Sequence, residues 1–432
     1  MRRNKRRRTE SAKKINNKKT IIILSTILLL LIITMCIKNI STQKNSTLST
    51  LNNSYENTTP ANSIAENTQS KNTIDNSTEN EEESGPITFT MTSLGDTLCH
   101  NTQYWDAYNK ETKEYDFNYV YEDIKRYTKY TDITIGSLET TFAGEEKGYS
   151  NYPTFNTPDS LAASLKEIGV DIISLAGNHA LDYGYTGLSR TIDVLDKADI
   201  SHLGTYKTAE DQEQLLIKNV KGVKIAFINY TYGTNGIPIP SGKEYCVNLI
   251  DKTLIKKQID KAKEQNVDMI VACMHWGTEY RTTANSEQKE LSDFLFQNGV
   301  DVILGNHPHV LEPMEKKTIT LEDGTTKDVF VVYSLGNFTA DQRDEITRDS
   351  AILNLTITKN LDGIISIDKV DYVPIYMYKN SNVSTKKFKI LDIERTIAEY
   401  ESGNTKIVTS SVYNNLKVQL EKIKNILGNE IN

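Results

Sequence analysis

Val300-Asp301-Val302-Ile303-Leu304-Gly305-Asn306-His307-Pro308-His309 passes within ten residues from an apolar run to two histidines separated by one proline. Val300 to Leu304 predicts a short buried strand. Pro308 fixes its own φ and biases His307 toward extended backbone, where residues i and i+2 point the same way. Both imidazoles are therefore expected to reach one point in space. Neutral imidazole nitrogens so placed suit a metal ion. Taken by itself, the stretch also fits a polar loop with two unrelated histidines.

Working outward, the same arrangement recurs. Ile87 to Thr92 alternates as a strand and runs into Ser93-Leu94-Gly95-Asp96. Asp132 to Leu138 predicts a strand ending at Glu139. Val170 to Leu175 predicts a buried strand before Ala176-Gly177-Asn178-His179. Val267 to Cys273 leads to Met274-His275, and Val329 to Ser334 to Leu335-Gly336-Asn337. Further strands are expected over 213–219, 223–230, 350–358 and 363–373, the last two around Asp362-Gly363. Helices are expected over 118–130, 158–168 (with Thr157 as N-cap), 185–198, 253–265, 286–298 and 410–427. Buried strands alternating with helices argue an α/β fold with much parallel pairing. Such folds place their sites beyond the carboxyl ends of strands. Four of the six histidines (His179, His275, His307, His309) fall there, while His100 and His202 read as ordinary surface or loop residues.

Charge and hydropathy divide the chain before this region. Residues 1–19 hold ten basic side chains and one acid, Glu10, although the whole chain has a net charge of −7. Thr20 to Ile37 is almost wholly apolar, and 18 helical residues span roughly 27 Å, close to a bilayer core. Basic residues before it predict a cytoplasmic N-terminus and an extracellular remainder. No small-x-small cleavage site follows, so an uncleaved single-pass anchor is expected over 20–37. This accounts for the basic tail without nucleic acid. Residues 38–86 are rich in Asn, Ser, Thr and Glu, too polar for a core, and are expected to form a disordered linker. The main domain is expected over 87–390 and a helical extension over 391–432. Cys36 lies in the span. Cys99, Cys246 and Cys273 have no CxxC spacing, so no disulfide framework or thiolate zinc site follows, and Cys273 is expected in the core.

Asp96, Glu139, Asn178, His275, His307 and His309 form a hard-to-borderline ligand set. It suits Mn²⁺, Fe or Zn²⁺, one ion or two, better than Ca²⁺. A carboxylate such as Glu139 or Asp96 can bridge two ions. His179, directly after Asn178, is placed to donate a proton or stabilise developing charge, and Asp182 three residues later to hold its ring.

Gly95-Asp96, Ser137-Leu138-Glu139, Gly177-Asn178-His179-Ala180-Leu181-Asp182-Tyr183-Gly184, His275-Trp276-Gly277-Thr278-Glu279-Tyr280, His307-Pro308-His309-Val310 and Tyr333-Ser334-Leu335-Gly336-Asn337-Phe338, in that order, resemble the CapA family of capsule and poly-γ-glutamate biosynthesis proteins. The resemblance spans about residues 87–375. That family is similar to calcineurin-like metallophosphoesterases, which implies a four-layer α/β/β/α sandwich around a two-metal site. It implies Asp96, Glu139, Asn178, His275, His307 and His309 as ligands, with His179 near a leaving group. Two features depart from the broader pattern. Leu98 stands where an Asp-x-His motif has its imidazole, and Glu139 stands where an aspartate usually bridges. Both point to one occupied metal, or to a site tuned to another bond.

The expected function is a membrane-anchored extracellular component of poly-γ-glutamate or capsule synthesis or export. An anionic polymer or its precursor would be its ligand, and membrane synthase or export proteins its partners. Because the exported part is acidic, Arg281, Arg343 or the metals would have to attract that polymer. The alternatives are an extracellular metal-dependent hydrolase of a phosphoester or amide, and an anchored binding module without catalysis.

Overall fold

The computed structural model describes residues 85–428. The basic tail, the expected span 20–37 and nearly all of the expected linker lie outside the described residues. No helix among the described residues is long and apolar enough to cross a membrane.

In chain order the strands are β1 (Ile87–Thr97), β2 (Tyr108–Asn109), β3 (Glu114–Tyr115), β4 (Ile133–Leu138), β5 (Ile172–Ser174), β6 (Ser201–Leu203), β7 (Leu216–Val220) and β8 (Val223–Thr231). They continue as β9 (Met269–His275), β10 (Val302–Asn306), β11 (Leu311–Thr320), β12 (Thr326–Leu335), β13 (Asn337–Thr339), β14 (Asp349–Lys359), β15 (Ile365–Lys379) and β16 (Phe388–Asp392). One sheet has the order β16-β15-β14-β1-β4-β5-β6, with β13 joining β1. The other has the order β11-β12-β10-β9-β8-β7. In the first, β1, β4, β5 and β6 are mutually parallel. In the second, β8, β9, β10 and β12 are.

Alternation along the strands builds the layers. On β8, Val223, Ile225 and Phe227 face a core shared by both sheets, whereas Ala226, Ile228 and Tyr230 face the helices outside. On β9, Met269, Val271 and Cys273 point inward and Ile270, Ala272 and Met274 outward. Helices Lys252–Glu264 and Ser286–Gln297 cover the outer face of the second sheet through Ile255, Ile259, Leu291 and Leu295. Helices Ser160–Glu167 and Gly184–Lys197 cover the first through Leu161, Leu165, Leu188 and Ile192. The result is helix, sheet, sheet, helix. Each fully buried Leu, Ile or Val contributes about 1.5–3 kcal/mol. The C-terminal helix Ser410–Leu427 buries Leu416, Ile423 and Leu427 in the core between the sheets, against β11, β14 and β15.

Several local expectations change. Residues 118–130 form two short helices, Asn118–Tyr121 and Lys125–Thr128. Their aromatic and β-branched residues favour a helix only weakly, and Asp123 at the break pairs with Lys389 and Arg395. The helix after Pro158 begins at Ser160, and Thr157 bonds the Thr140 hydroxyl at 2.7 Å instead of capping it. Residues 209–213 are helical, so β7 starts later than expected. β11 was not expected, since Pro313 argues against a strand; an edge strand tolerates it.

Candidate metal centre

The carboxyl ends of the parallel strands of both sheets meet at one place. Asp96 lies within β1, not after it, because a register shift between Ser93 and Asp96 bends the strand into the site. Gly95 makes this possible: a Cβ there would lie 2.1 Å from the Gly336 carbonyl oxygen. Gly305 on β10 has the same requirement against the Tyr333 carbonyl, at 2.0 Å.

His307 and His309 converge, with ring centroids 6.1 Å apart, but not by strand alternation. Their φ values are +104° and +61°, so the chain beyond β10 is sharply turned rather than extended. Such backbone costs on the order of 1–3 kcal/mol per residue and is held by its surroundings. Here the His307 N–H donates to Asp96 Oδ2 at 2.8 Å, and the Tyr280 N–H donates to the Pro308 carbonyl at 2.8 Å.

All six expected ligands are buried and adjacent. Glu139 and His275 with His307 form one group able to hold a cation, and Asp96 and Glu139 with His309 form a second. Glu139 belongs to both. Its oxygens lie 3.7 Å from His275 Nε2 and 3.7 Å from His309 Nδ1, and neither has a hydrogen-bond partner. Ligand atoms sharing one ion at bonds of about 2.0–2.2 Å stand roughly 3–4 Å apart, so these spacings fit. An unpaired buried carboxylate is costly unless a cation meets it. Asp96 is better satisfied, accepting from Ser137 Oγ at 2.8 Å as well as from His307.

Electrostatics point the same way. Burial, then the nearby Asp96, Glu279 and Asp182 charges, push Glu139 well above the usual carboxylate range. Burial raises Asp96 to about 6. Burial and neighbouring imidazoles hold His275 well below its ordinary value and His307 down to about 3, and burial takes His309 to about 4. A divalent cation takes neutral imidazoles and ionised carboxylates, so its charge would offset the burial that disfavours ionised Asp96 and Glu139.

The surrounding amides set orientation. Asn178 Nδ2 donates to Asn235 Oδ1 at 3.2 Å, which turns Asn178 Oδ1 toward His275 Nε2, 2.9 Å away. Asn337 donates to Gln342 and to the Thr347 carbonyl, which turns its Oδ1 toward His309 Nδ1, 3.0 Å away. His179 Nδ1 lies 2.7 Å from Asp182 Oδ2, which also accepts from the Phe155 N–H. The His179 ring sits edge-on to Phe155 at 4.8 Å. Leu98 packs with Phe155 and Ala340 and presents an apolar wall beside the centre.

Sequence reasoning missed Tyr232, whose ring lies 4.5 Å from His307, and Asn235, which follows it in the loop after β8. Asn235 has φ +51°, and its amide nitrogen stands 3.3 Å from His179 Nε2. The only sequence signal was Gly233 and Gly236 flanking that loop. His100, expected as an ordinary surface or loop residue, is in a loop, but one that lines the cleft beside His179, and it accepts the Asp341 N–H on Nδ1 at 3.1 Å. His202 is unrelated to the site: it pairs with Asp196 on the first sheet's far edge.

The chain is 30% identical over 302 residues to a capsule biosynthesis protein, CapA, of Bacillus anthracis, covering 68% of each. It is 29% identical over 266 residues to the PGA biosynthesis protein CapA of Bacillus subtilis, covering 61% of this chain and 67% of that one. Among solved structures, an NAD nucleotidase of Haemophilus influenzae aligns at a TM-score of 0.46 and 16% identity, over 78% of this chain and 63% of that chain. The model of the family described as bacterial capsule synthesis protein PGA_cap matches residues 90–342, more than half of the chain. The chain therefore belongs to the PGA_cap family of bacterial capsule synthesis proteins.

Proposed function

We propose that this protein is a membrane-anchored, extracellular component of a capsule or poly-γ-glutamate system, and that its strand-end centre is a metal-dependent hydrolytic site. Family membership supports the polymer role. The observation that carries the catalytic reading is Glu139, buried with both oxygens unpaired and shared by two groups of candidate ligands. A bound divalent ion would supply an activated water and neutralise charge on a phosphoryl or acyl oxygen. The chain's own residues do the rest. Asp182 fixes the His179 ring through Nδ1, which leaves Nε2 to exchange a proton with a leaving group. Asn235 and Asn337 fix the amide and imidazole that face the centre, and Leu98 with Phe155 excludes water on one side. Synthase or export proteins of the same system are the proposed partners.

The test replaces the chromosomal copy with His179→Ala. Surface polymer should fall at least about tenfold, within the loss expected for a proton-transfer group. Polymer unchanged after complete deletion would end the polymer role. Polymer lost on deletion but restored by His179→Ala would end the catalytic one. Protease added to intact cells should digest the domain, and protection would reverse the assigned topology.

A further inference from the structure

A cleft of about 760 Å³ opens beside the centre, with Asn178, His179 and His309 at its inner end. Tyr152, Phe155 and Tyr280 give it aromatic walls. No lysine or arginine lines it, and Glu279 is its one carboxylate. Arg281 and Arg343, the cations that sequence reasoning offered to an anionic polymer, are not among its lining residues. Burial raises Glu139 and the Tyr280 hydroxyl, and the Glu279 charge adds to both shifts.

The placement is built. Tyr280 adopts φ +63°, uncommon for an aromatic residue, and its N–H is bound to the Pro308 carbonyl. Its ring lies 5.8 Å from that of His309. The turn that carries Glu279 is thus clamped to the loop that carries the histidines. A run of carboxylates entering this cleft would meet the like charge of Glu279 and no lysine or arginine before it reached the centre itself. An ammonium group would meet a carboxylate and aromatic faces, an arrangement that favours cations.

We propose that the cleft is a subsite for a primary ammonium group, so that the polymer enters by its amino end and not along its carboxylate flank. This rests on the polymer reading above. The test uses the full chain in detergent with Mn²⁺ present. Two probes are titrated calorimetrically: a γ-linked glutamate pentamer with a free amine, and the same pentamer N-acetylated. The free amine should bind about tenfold tighter, the combined scale of a partly exposed ion pair and a cation–π contact. Glu279→Gln should bring the two within about twofold while leaving the acetylated affinity and the bound metal unchanged. Equal affinities in the unsubstituted chain would overturn the amine subsite and leave the polymer reading standing. A preference that survives Glu279→Gln would overturn the role of Glu279. Binding of neither pentamer would overturn both readings.

Discussion

The two ends of the parallel strands treat acidic residues in opposite ways. At the amino ends, Asp132, Asp171, Asp268 and Asp301 each accept a backbone N–H from the neighbouring strand: Thr90, Thr134, Lys224 and Ile270, at 2.8–2.9 Å. Three of them also meet a lysine: Lys221 for Asp132, Lys359 for Asp268 and Lys327 for Asp301. At the carboxyl ends, Glu139 is buried with no donor at all. In the sequence, both kinds are simply an acid beside an apolar run. The difference is that one end spends its carboxylates on joining strands, while the other leaves Glu139 for something not supplied by the chain.

The largest effect should come from breaking the carboxyl end. Glu139→Gln should abolish the thermal stabilisation by Mn²⁺ or Zn²⁺, which for the unsubstituted chain is about 2.7 kcal/mol at a hundredfold excess over Kd. Without metal, the variant should melt above the unsubstituted chain, because an unpaired buried carboxyl has gone. Melting curves with and without metal decide this. Asp301→Ala breaks the other end and should do the reverse. It leaves the Ile270 N–H without its acceptor and Lys327 without its carboxylate partner, and should cost about 2–3 kcal/mol in denaturant unfolding whether or not metal is present. A metal-sensitive Asp301 or a metal-blind Glu139 would erase the distinction.

Asp349 sharpens the comparison as a third kind of acid. It is buried at the start of β14 with Oδ1 unpartnered, but belongs to no ligand group. Burial pushes it up to about 7. Between about pH 4 and 7 the folded chain holds a proton that the unfolded chain has released, so this group's stabilisation is full below that window and lost as pH rises through it. Asp349→Asn should therefore leave stability at pH 4 nearly unchanged and raise it by about 1–2 kcal/mol at pH 8, without altering the response to metal. Urea unfolding at the two pH values measures it.

Much of this was legible in the sequence, for a physical reason. Buried parallel strands are written as continuous apolar runs, so their carboxyl ends can be located, and the gathering of Asp96, Glu139, Asn178, His275, His307 and His309 at those ends was legible by position. The manner in which His307 and His309 converge was not legible, because Pro308 suggested extended backbone while tertiary bonds from Asp96 and Tyr280 hold a left-handed turn. Asn235, Tyr232 and His100 were missed because loops have no periodicity to mark which side chains turn inward. β11 was missed because an edge strand with polar alternation and a proline carries little apolar signal.

The central claim is that the carboxyl ends form a metal centre around Glu139. The most direct measurement is elemental analysis of bound metal per full-length chain, after gentle purification and reloading, beside Glu139→Gln and Asp301→Ala. The account predicts at least one divalent ion per chain, the same content in folded Asp301→Ala, and less than about a tenth of it in Glu139→Gln. No metal in the unsubstituted chain, or equal metal in Glu139→Gln, would contradict it.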